Sequence, residues 1–202
     1  MLNRLRSFMT TLWTPLADLL IRRGVSPDAV TITGTVGVVV MALWLLPTGH
    51  LLAGALMIAV FTLTDSLDGV MARRAGRSGP WGAFLDSTLD RFADAAIFSG
   101  LVLWSIGRGD DRPTAVLALA CLVLGSVVPY ARARAEGLGM TAAIGIAERA
   151  ERLVLVLLGT FLVGLGLPLV VLTVVLALLA VASAVTVGQR VATVRRQSRV
   201  AQ

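Results

Sequence analysis

Residues 65–91 read DSLDGVMARRAGRSGPWGAFLDSTLDR, a stretch that sets Asp65, Asp68, Asp86 and Asp90 into an otherwise strongly apolar chain. On a helix advancing about 100° per residue, Asp65, Asp68 and Ala72 share one face, and Asp86, Asp90 and Asp94 line a face of a second helix. Two carboxylate-bearing faces can then oppose one another. A charged aspartate at the centre of a membrane helix costs on the order of 3 kcal/mol even on an insertion scale. Four of them therefore belong near an interface and beside cations. Mg²⁺ takes oxygen ligands, keeps some waters and shares phosphate oxygens, which suits carboxylates facing a diphosphate. The competing reading makes them helix-terminus aspartates paired with Arg73, Arg74 and Arg77.

The surrounding composition supports a membrane setting. The 202 residues are 56% hydrophobic with mean hydropathy +0.85, above the roughly 45–50% apolar share of soluble domains. An all-α integral membrane protein is expected, with one domain over residues 1–202. Net charge is +6, and all 18 basic residues are arginines. Membrane topology accounts for that charge, so no nucleic-acid partner is expected. Cys121, alone in an apolar run, offers no disulfide framework or thiolate metal site and reads as helix packing. The first 23 residues lack the pattern of a removable signal peptide.

Working outward, residues 1–23 place Leu2, Leu5, Phe8, Leu12, Leu16, Leu19 and Leu20 at helical spacing among arginines. This suits an amphipathic juxtamembrane helix in the interface, or equally one packed on the protein's own inner face. Ser26-Pro27-Asp28 is a helix start, with a capping hydroxyl, a proline at the first helical position and an acid in the first turn. That helix is expected to reach about Leu46. A second apolar span begins at Leu51 and runs into the Asp65 motif, until Gly76, Gly79 and Pro80 break it. A third covers about Gly82 to Ile106, and a fourth Ala115 to Arg134. The apolar run from Leu153 to Gly188 is too long for one crossing of about 20 residues, and GLGLP at 164–168 divides it. Six transmembrane helices result, in a core over 28–190 followed by a cytoplasmic tail over 191–202.

Arginine placement orients them. The N-terminal segment, the 73–77 turn, the 132–152 connection and the C-terminal end from Arg190 onward hold 15 of the 18 arginines, so both termini and the motif are expected on the cytoplasmic side of the cell membrane. Trp44 and Trp104 then read as outer interfacial anchors, Trp13 and Trp81 as inner ones, and His50 as part of an outer turn. Intramembrane carboxylates also occur in transporters. A transporter, however, would tend to carry charge at mid-membrane and often in repeated halves, whereas here the motif is single and gathered at one face.

The spacing of Asp65, Asp68, Gly69, Ala72, Arg73, Gly82, Asp86 and Asp90 resembles the motif D-x2-D-G-x2-A-R-x8-G-x3-D-x3-D of the CDP-alcohol phosphatidyltransferase family, with every fixed position filled. The resemblance implies an enzyme with two Mg²⁺ ions, Mn²⁺ being possible, held by Asp65, Asp68, Asp86 and Asp90. Asp90 would also be the general base. CDP-diacylglycerol would meet Asp28, Ala29, Val30 and Thr31 at a helix start, Gly69 and Ala72, the Arg73 fork, and Gly82. Relatives often carry a threonine or serine three residues before the Gly82 position. This chain has Gly79 there with Ser78 beside it, so either could meet the nucleotide. A homodimer is implied as well.

SPDAVT, LDSTLDRFADAAIF, YARARAEGLG, IAERAERL and VTVGQR resemble the branch of the family that makes phosphatidylinositol phosphate. Inositol phosphate brings a further dianion, and Arg132, Arg134, Arg152 and Arg190 would hold it by that resemblance. Topology alone also places arginines at cytoplasmic helix ends. Phosphatidylglycerol phosphate synthases are the alternative. They usually carry a proline after the third motif aspartate and a lysine after the fourth, where this chain has Ser87 and Arg91.

Overall fold

The computed structural model describes residues 13–76 and 79–200, without the side chains of 65, 66 and 200. Expectations for residues 1–12, and for Arg77 and Ser78, lie outside the described residues. The first described helix, α1, covers 13–22. It is followed by α2 (Pro27–Leu45), α3 (Leu51–Thr62), α4 (Thr64–Arg74), α5 (Pro80–Ile106), α6 (Arg112–Glu136), α7 (Arg149–Gly164) and α8 (Val170–Val200). No strand occurs among the described residues.

Local chemistry sets these boundaries. The Ser26 hydroxyl accepts the Ala29 amide at 3.1 Å and Pro27 opens α2, the start signal legible in the sequence. Asp111 caps α6 by accepting the Thr114 amide at 2.9 Å. Its carboxyl is held below the usual carboxylate range first by the Thr114 hydroxyl and then by that amide. The α6 helix therefore starts three residues before the expected Ala115. α7 begins at Arg149 rather than Leu153, and α8 runs on through residues 191–200, so the expected tail is helical over that stretch.

The span expected to run unbroken into the motif is divided at Leu63. Neither glycine nor proline marks the place. The Thr62 hydroxyl donates to the Ile58 carbonyl at 2.9 Å and the Thr64 hydroxyl to the Phe61 carbonyl at 2.6 Å, and such back-bonding competes with the helical ladder and bends it. The backbone at Leu63 nonetheless stays helical, its amide donating to the Ala59 carbonyl at 3.1 Å, so α4, which carries the first half of the motif, continues the direction of α3.

Among the described residues, four stretches are long and apolar enough to cross a membrane: Pro27–Leu45, Leu51–Arg74, Arg112–Glu136 and Val170–Arg199. α5 has the length, at 27 residues, but carries the motif charges, and α7 has only 16 residues. The core runs through α2, α3, α5, α6, α7 and α8, with Ala42, Leu46, Ile58, Ile97, Phe98, Leu101, Val156 and Leu176 all buried. Cys121 is a free, buried member of it. Trp44 and Trp81 are exposed, but Trp104 is 8% exposed and belongs to the core, which corrects its reading as an outer anchor.

With lipid outside, burial of apolar surface drives helix association only weakly, and close backbone approach matters more. At Gly100 a Cβ would lie 2.4 Å from the Ala42 carbonyl oxygen where α5 crosses α2, and at Gly164 one would lie 2.4 Å from the Leu52 nitrogen. Backbone cannot yield as a flexible side chain can. Gly100→Ala should therefore lower stability by about 1–3 kcal/mol, the usual cost of overpacking, measured as thermal unfolding in detergent. A melting curve matching the parent would contradict the close crossing.

Candidate active site

α1 packs against α4. Ala17 is buried against Leu67, Val70 and Met71 of α4, with Trp13, Leu20 and Ile21 around them, while Leu16 and Leu19 remain exposed. Arg74 clamps the contact from α4, its Nε and Nη2 donating to the two Asp18 oxygens at 2.6 and 2.8 Å. An exposed pair of this kind contributes about 0–1 kcal/mol, so the apolar contacts do most to seat α4.

Beside this contact the start of α2, the length of α4 and the start of α5 enclose a cavity of about 310 Å³. Pro27, Asp28, Thr31, Asp68, Gly69, Ala72, Arg73, Gly79, Gly82, Ala83 and Asp86 line it. Nine of the residues singled out in the sequence thus meet in one place. The exceptions are informative. Ala29 is exposed and its amide is engaged by the Ser26 cap, Val30 packs on the α1–α4 cluster, and Asp90 lies one turn deeper on α5. Ser78 and the side chain of Asp65 lie outside the described residues.

Within the cavity, the buried Thr31 hydroxyl donates to Asp68 Oδ2 at 2.5 Å and also reaches the Pro27 carbonyl at 3.2 Å. Trp81 Nε1 donates to Asp28 Oδ2 at 3.0 Å from the cavity edge, a contact that reading Trp81 as an interfacial anchor misses. A Cβ on Gly69 would come 3.4 Å from Arg73 Nη1, whereas one on Gly79 or Gly82 would meet nothing within 4 Å. Small residues thus keep the floor open beneath the Arg73 guanidinium. Asp68 and Asp86 from facing helices supply hard oxygen donors suited to a divalent cation. Among the described residues no three acidic, histidine or cysteine side chains are drawn together tightly enough to hold an ion.

The next layer is ionic. Arg149 Nη2 lies 2.8 Å from Asp90 Oδ1, and Arg149 Nε donates to Asp94 Oδ1 at 3.2 Å. Arg152 Nη2 donates to Asp94 Oδ2 at 3.2 Å. Arg149 and Asp94 were not among the expected site residues. Their sequence signal was spacing alone, Asp94 one helical turn past Asp90 and Arg149 three residues before Arg152.

The four arginines expected to form an acceptor site differ in state. Arg132 is exposed and pairs with Glu136 at 2.8 Å, one turn along α6. Arg134 is exposed and lines a separate groove of about 590 Å³ between α6 and α8, which Arg190 also borders. Arg152 is only 2% exposed. Arg190 is buried too, donating to the Ile144 and Val128 carbonyls at 2.8 and 2.5 Å. Arg134 and Arg190 thus share one groove, but the four arginines do not present four open forks.

A cavity that brings Asp28, Asp68 and Asp86 together with Arg73, at one end of an apolar helical bundle, suits a membrane enzyme acting on phosphate groups. The CDP-alcohol phosphatidyltransferase family model matches residues 24–187, and the chain belongs to that family. A phosphatidylinositol phosphate synthase of Streptomyces avermitilis is 49% identical over 205 residues, spanning 98% of this chain and 84% of the relative. One of Cutibacterium acnes is 45% identical over 203 residues, spanning 97% and 98%. The crystal structure of Mycobacterium tuberculosis phosphatidylinositol phosphate synthase with CDP-DAG bound is similar, with TM-score 0.87 and 44% identity over 91% of this chain and 94% of that one. The structure of that enzyme in complex with manganese and citrate also scores 0.87 at 44% identity, over 90% and 88%.

The Asp94–Arg152 pair is nearly sealed from water, so removing one member strands the other. Arg152→Ala should destabilise the protein by on the order of 3 kcal/mol, read as a lowered unfolding midpoint in detergent. An unshifted midpoint would show that Arg149 alone compensates Asp94.

Proposed function

We propose that the chain is a phosphatidylinositol phosphate synthase, transferring the phosphatidyl group of CDP-diacylglycerol to inositol 1-phosphate with release of CMP. The observation that carries the transferase chemistry is the single cavity in which Asp28, Thr31, Asp68, Gly69, Arg73 and Asp86 converge. Its volume falls in the range of about 300–1,000 Å³ usual for small-ligand sites. The names of the relatives support the choice of acceptor.

In this reading the start of α2, from Asp28 to Thr31, faces the cytidine end, with its helix terminus favouring negative charge. Gly69, Ala72, Gly79 and Gly82 leave room for the diphosphate, and Arg73 offers it a fork. Ser78 adjoins the same strand of contacts in sequence. Asp65, Asp68, Asp86 and Asp90 are the residues that would hold two divalent cations, Mg²⁺ by default and Mn²⁺ as the alternative. Bound there, such ions neutralise the diphosphate and stabilise the departing CMP.

The chain's own part is positioning and proton removal. The acceptor hydroxyl oxygen attacks the lipid-linked phosphorus, the bond from that phosphorus to the CMP oxygen breaks, and CMP leaves with the bonding pair. The hydroxyl proton passes to the Asp90 carboxylate. Arg132 and Arg134 supply exposed forks for the acceptor phosphate, while Arg152 and Arg190 contribute positive potential from behind. The reading also includes six membrane crossings with α5 and α7 among them, cytoplasmic termini and active site, an N-terminal helix at the interface, and a homodimer.

An acceptor panel tests the assignment: purified protein, labelled CDP-diacylglycerol and Mg²⁺ with inositol phosphate, free inositol, glycerol phosphate or serine. Inositol phosphate should turn over fastest. Faster turnover of glycerol phosphate would replace the acceptor and leave the family unchanged. Arg134→Ala should raise the Michaelis constant for inositol phosphate by roughly tenfold or more, as expected for one lost charge-assisted contact, with CDP-diacylglycerol saturation unaltered. An unchanged acceptor constant would remove Arg134 from the site.

A further inference from the structure

Asp90 does not stand alone on its helix face. One turn on, Asp94 is 8% exposed, and a single guanidinium serves both carboxylates: Arg149 Nη2 at 2.8 Å from Asp90 Oδ1, Arg149 Nε at 3.2 Å from Asp94 Oδ1. Asp94 Oδ2 accepts from Arg152 Nη2 at 3.2 Å. Arg152 in turn reaches the Gly125 and Ala147 carbonyls, each at 3.4 Å. A continuous run of contacts therefore leads from Asp90 to backbone on α6 and on the connection before α7.

Local preference argues against this placement of arginine. Arg149 and Arg152 both sit in the first turn of α7, where the helix dipole presents partial positive charge and favours acids. Guanidinium groups at a helix start, one of them only 2% exposed, need another reason to be there, and the Asp90 and Asp94 carboxylates of α5 provide it. Arg91 cannot do the same work. Its Nη2 is 3.6 Å from Asp90 Oδ2, beyond hydrogen-bond range.

We propose that Arg149 is a positioning residue for the transfer step, its bridge between Asp90 and Asp94 fixing the orientation of the Asp90 carboxylate toward the incoming hydroxyl. This rests on the reading of Asp90 as the base. The terminal torsion of an aspartate is broad, so an unrestrained carboxylate would present its oxygens over a range of angles. The planar Arg149 fork, held at Nε by a buried partner, removes that freedom. Misplacement of a reacting group by about 1 Å costs on the order of a hundredfold in rate.

The test uses the full-length protein in detergent with three variants, Arg149→Ala, Arg149→Lys and Asp90→Asn. It reads kcat, the Michaelis constant for CDP-diacylglycerol, and Mn²⁺ affinity from the electron paramagnetic resonance signal of free Mn²⁺ without turnover. Arg149→Ala should lower kcat about tenfold to a hundredfold at saturating Mn²⁺ and leave the lipid constant within about threefold of the parent. Lysine keeps the charge but has one nitrogen and cannot span both carboxylates, so Arg149→Lys should recover only part of kcat. If the alanine variant fails to fold, the lysine variant decides, and parent-like kcat in it overturns the proposal. Recovery of parent-like kcat in Arg149→Ala at saturating Mn²⁺ also overturns it, by placing the whole effect in metal affinity. Parent-like kcat in Arg149→Ala beside an inactive Asp90→Asn rejects the positioning role alone. Parent-like rates in Asp90→Asn reject the base itself.

Discussion

An ionised carboxylate at the edge of an apolar bundle has to be answered by positive charge, and the arrangement of this protein follows from that requirement. Asp94, largely out of water on α5, is answered from α7 by Arg149 and Arg152. Arg152 is in turn tied to backbone of the α6 and pre-α7 segments. A buried ion pair rarely adds much net stability over a well-packed apolar pair, because desolvation offsets most of the attraction. Its value here is geometric: three helices meet at one point with defined side-chain orientation. That point lies one turn beyond Asp90 and two beyond Asp86, the α5 carboxylate that faces the cavity. The packing that holds the bundle end together and the packing that aims the site are therefore the same contacts.

The opposite wall is built differently. α4 is seated by apolar contact with α1 and by the Asp18–Arg74 pair, not by buried charge. One side of the cavity is thus held by a polar network and the other by a small hydrophobic cluster. Between them the glycines at 69, 79 and 82 keep side chains out of the space. The Thr31 hydroxyl on Asp68 is the hydrogen bond that joins α2 to α4 across it.

Much of this was legible in the sequence because it is written in local chemistry. Asp65 to Asp90 declared themselves as charges in an apolar chain at helical spacing, and Ser26-Pro27-Asp28 read directly as a helix start. What stayed hidden depends on partners distant in sequence. Arg149 looked like one more topological arginine until α7 was laid beside α5. Trp104 had the spacing of an interfacial anchor but is enclosed by the core. Arg152 and Arg190 had the position expected of ligand-binding arginines, yet their donors are directed at Asp94 and at backbone carbonyls. The turn at Leu63 carries no such signal, since threonine hydroxyls flank it and neither glycine nor proline marks the place.

That turn has a mechanical meaning for a protein that works on lipid. A membrane helix meets a thicker or thinner bilayer by changing its tilt, and a rigid rod carrying the motif at one end would swing the carboxylates with it. Leu63 keeps a helical backbone, so what holds α4 in place is its apolar contact with α1 and the Thr31–Asp68 hydrogen bond to α2. The geometry of the cavity therefore depends on those two contacts wherever the membrane changes thickness.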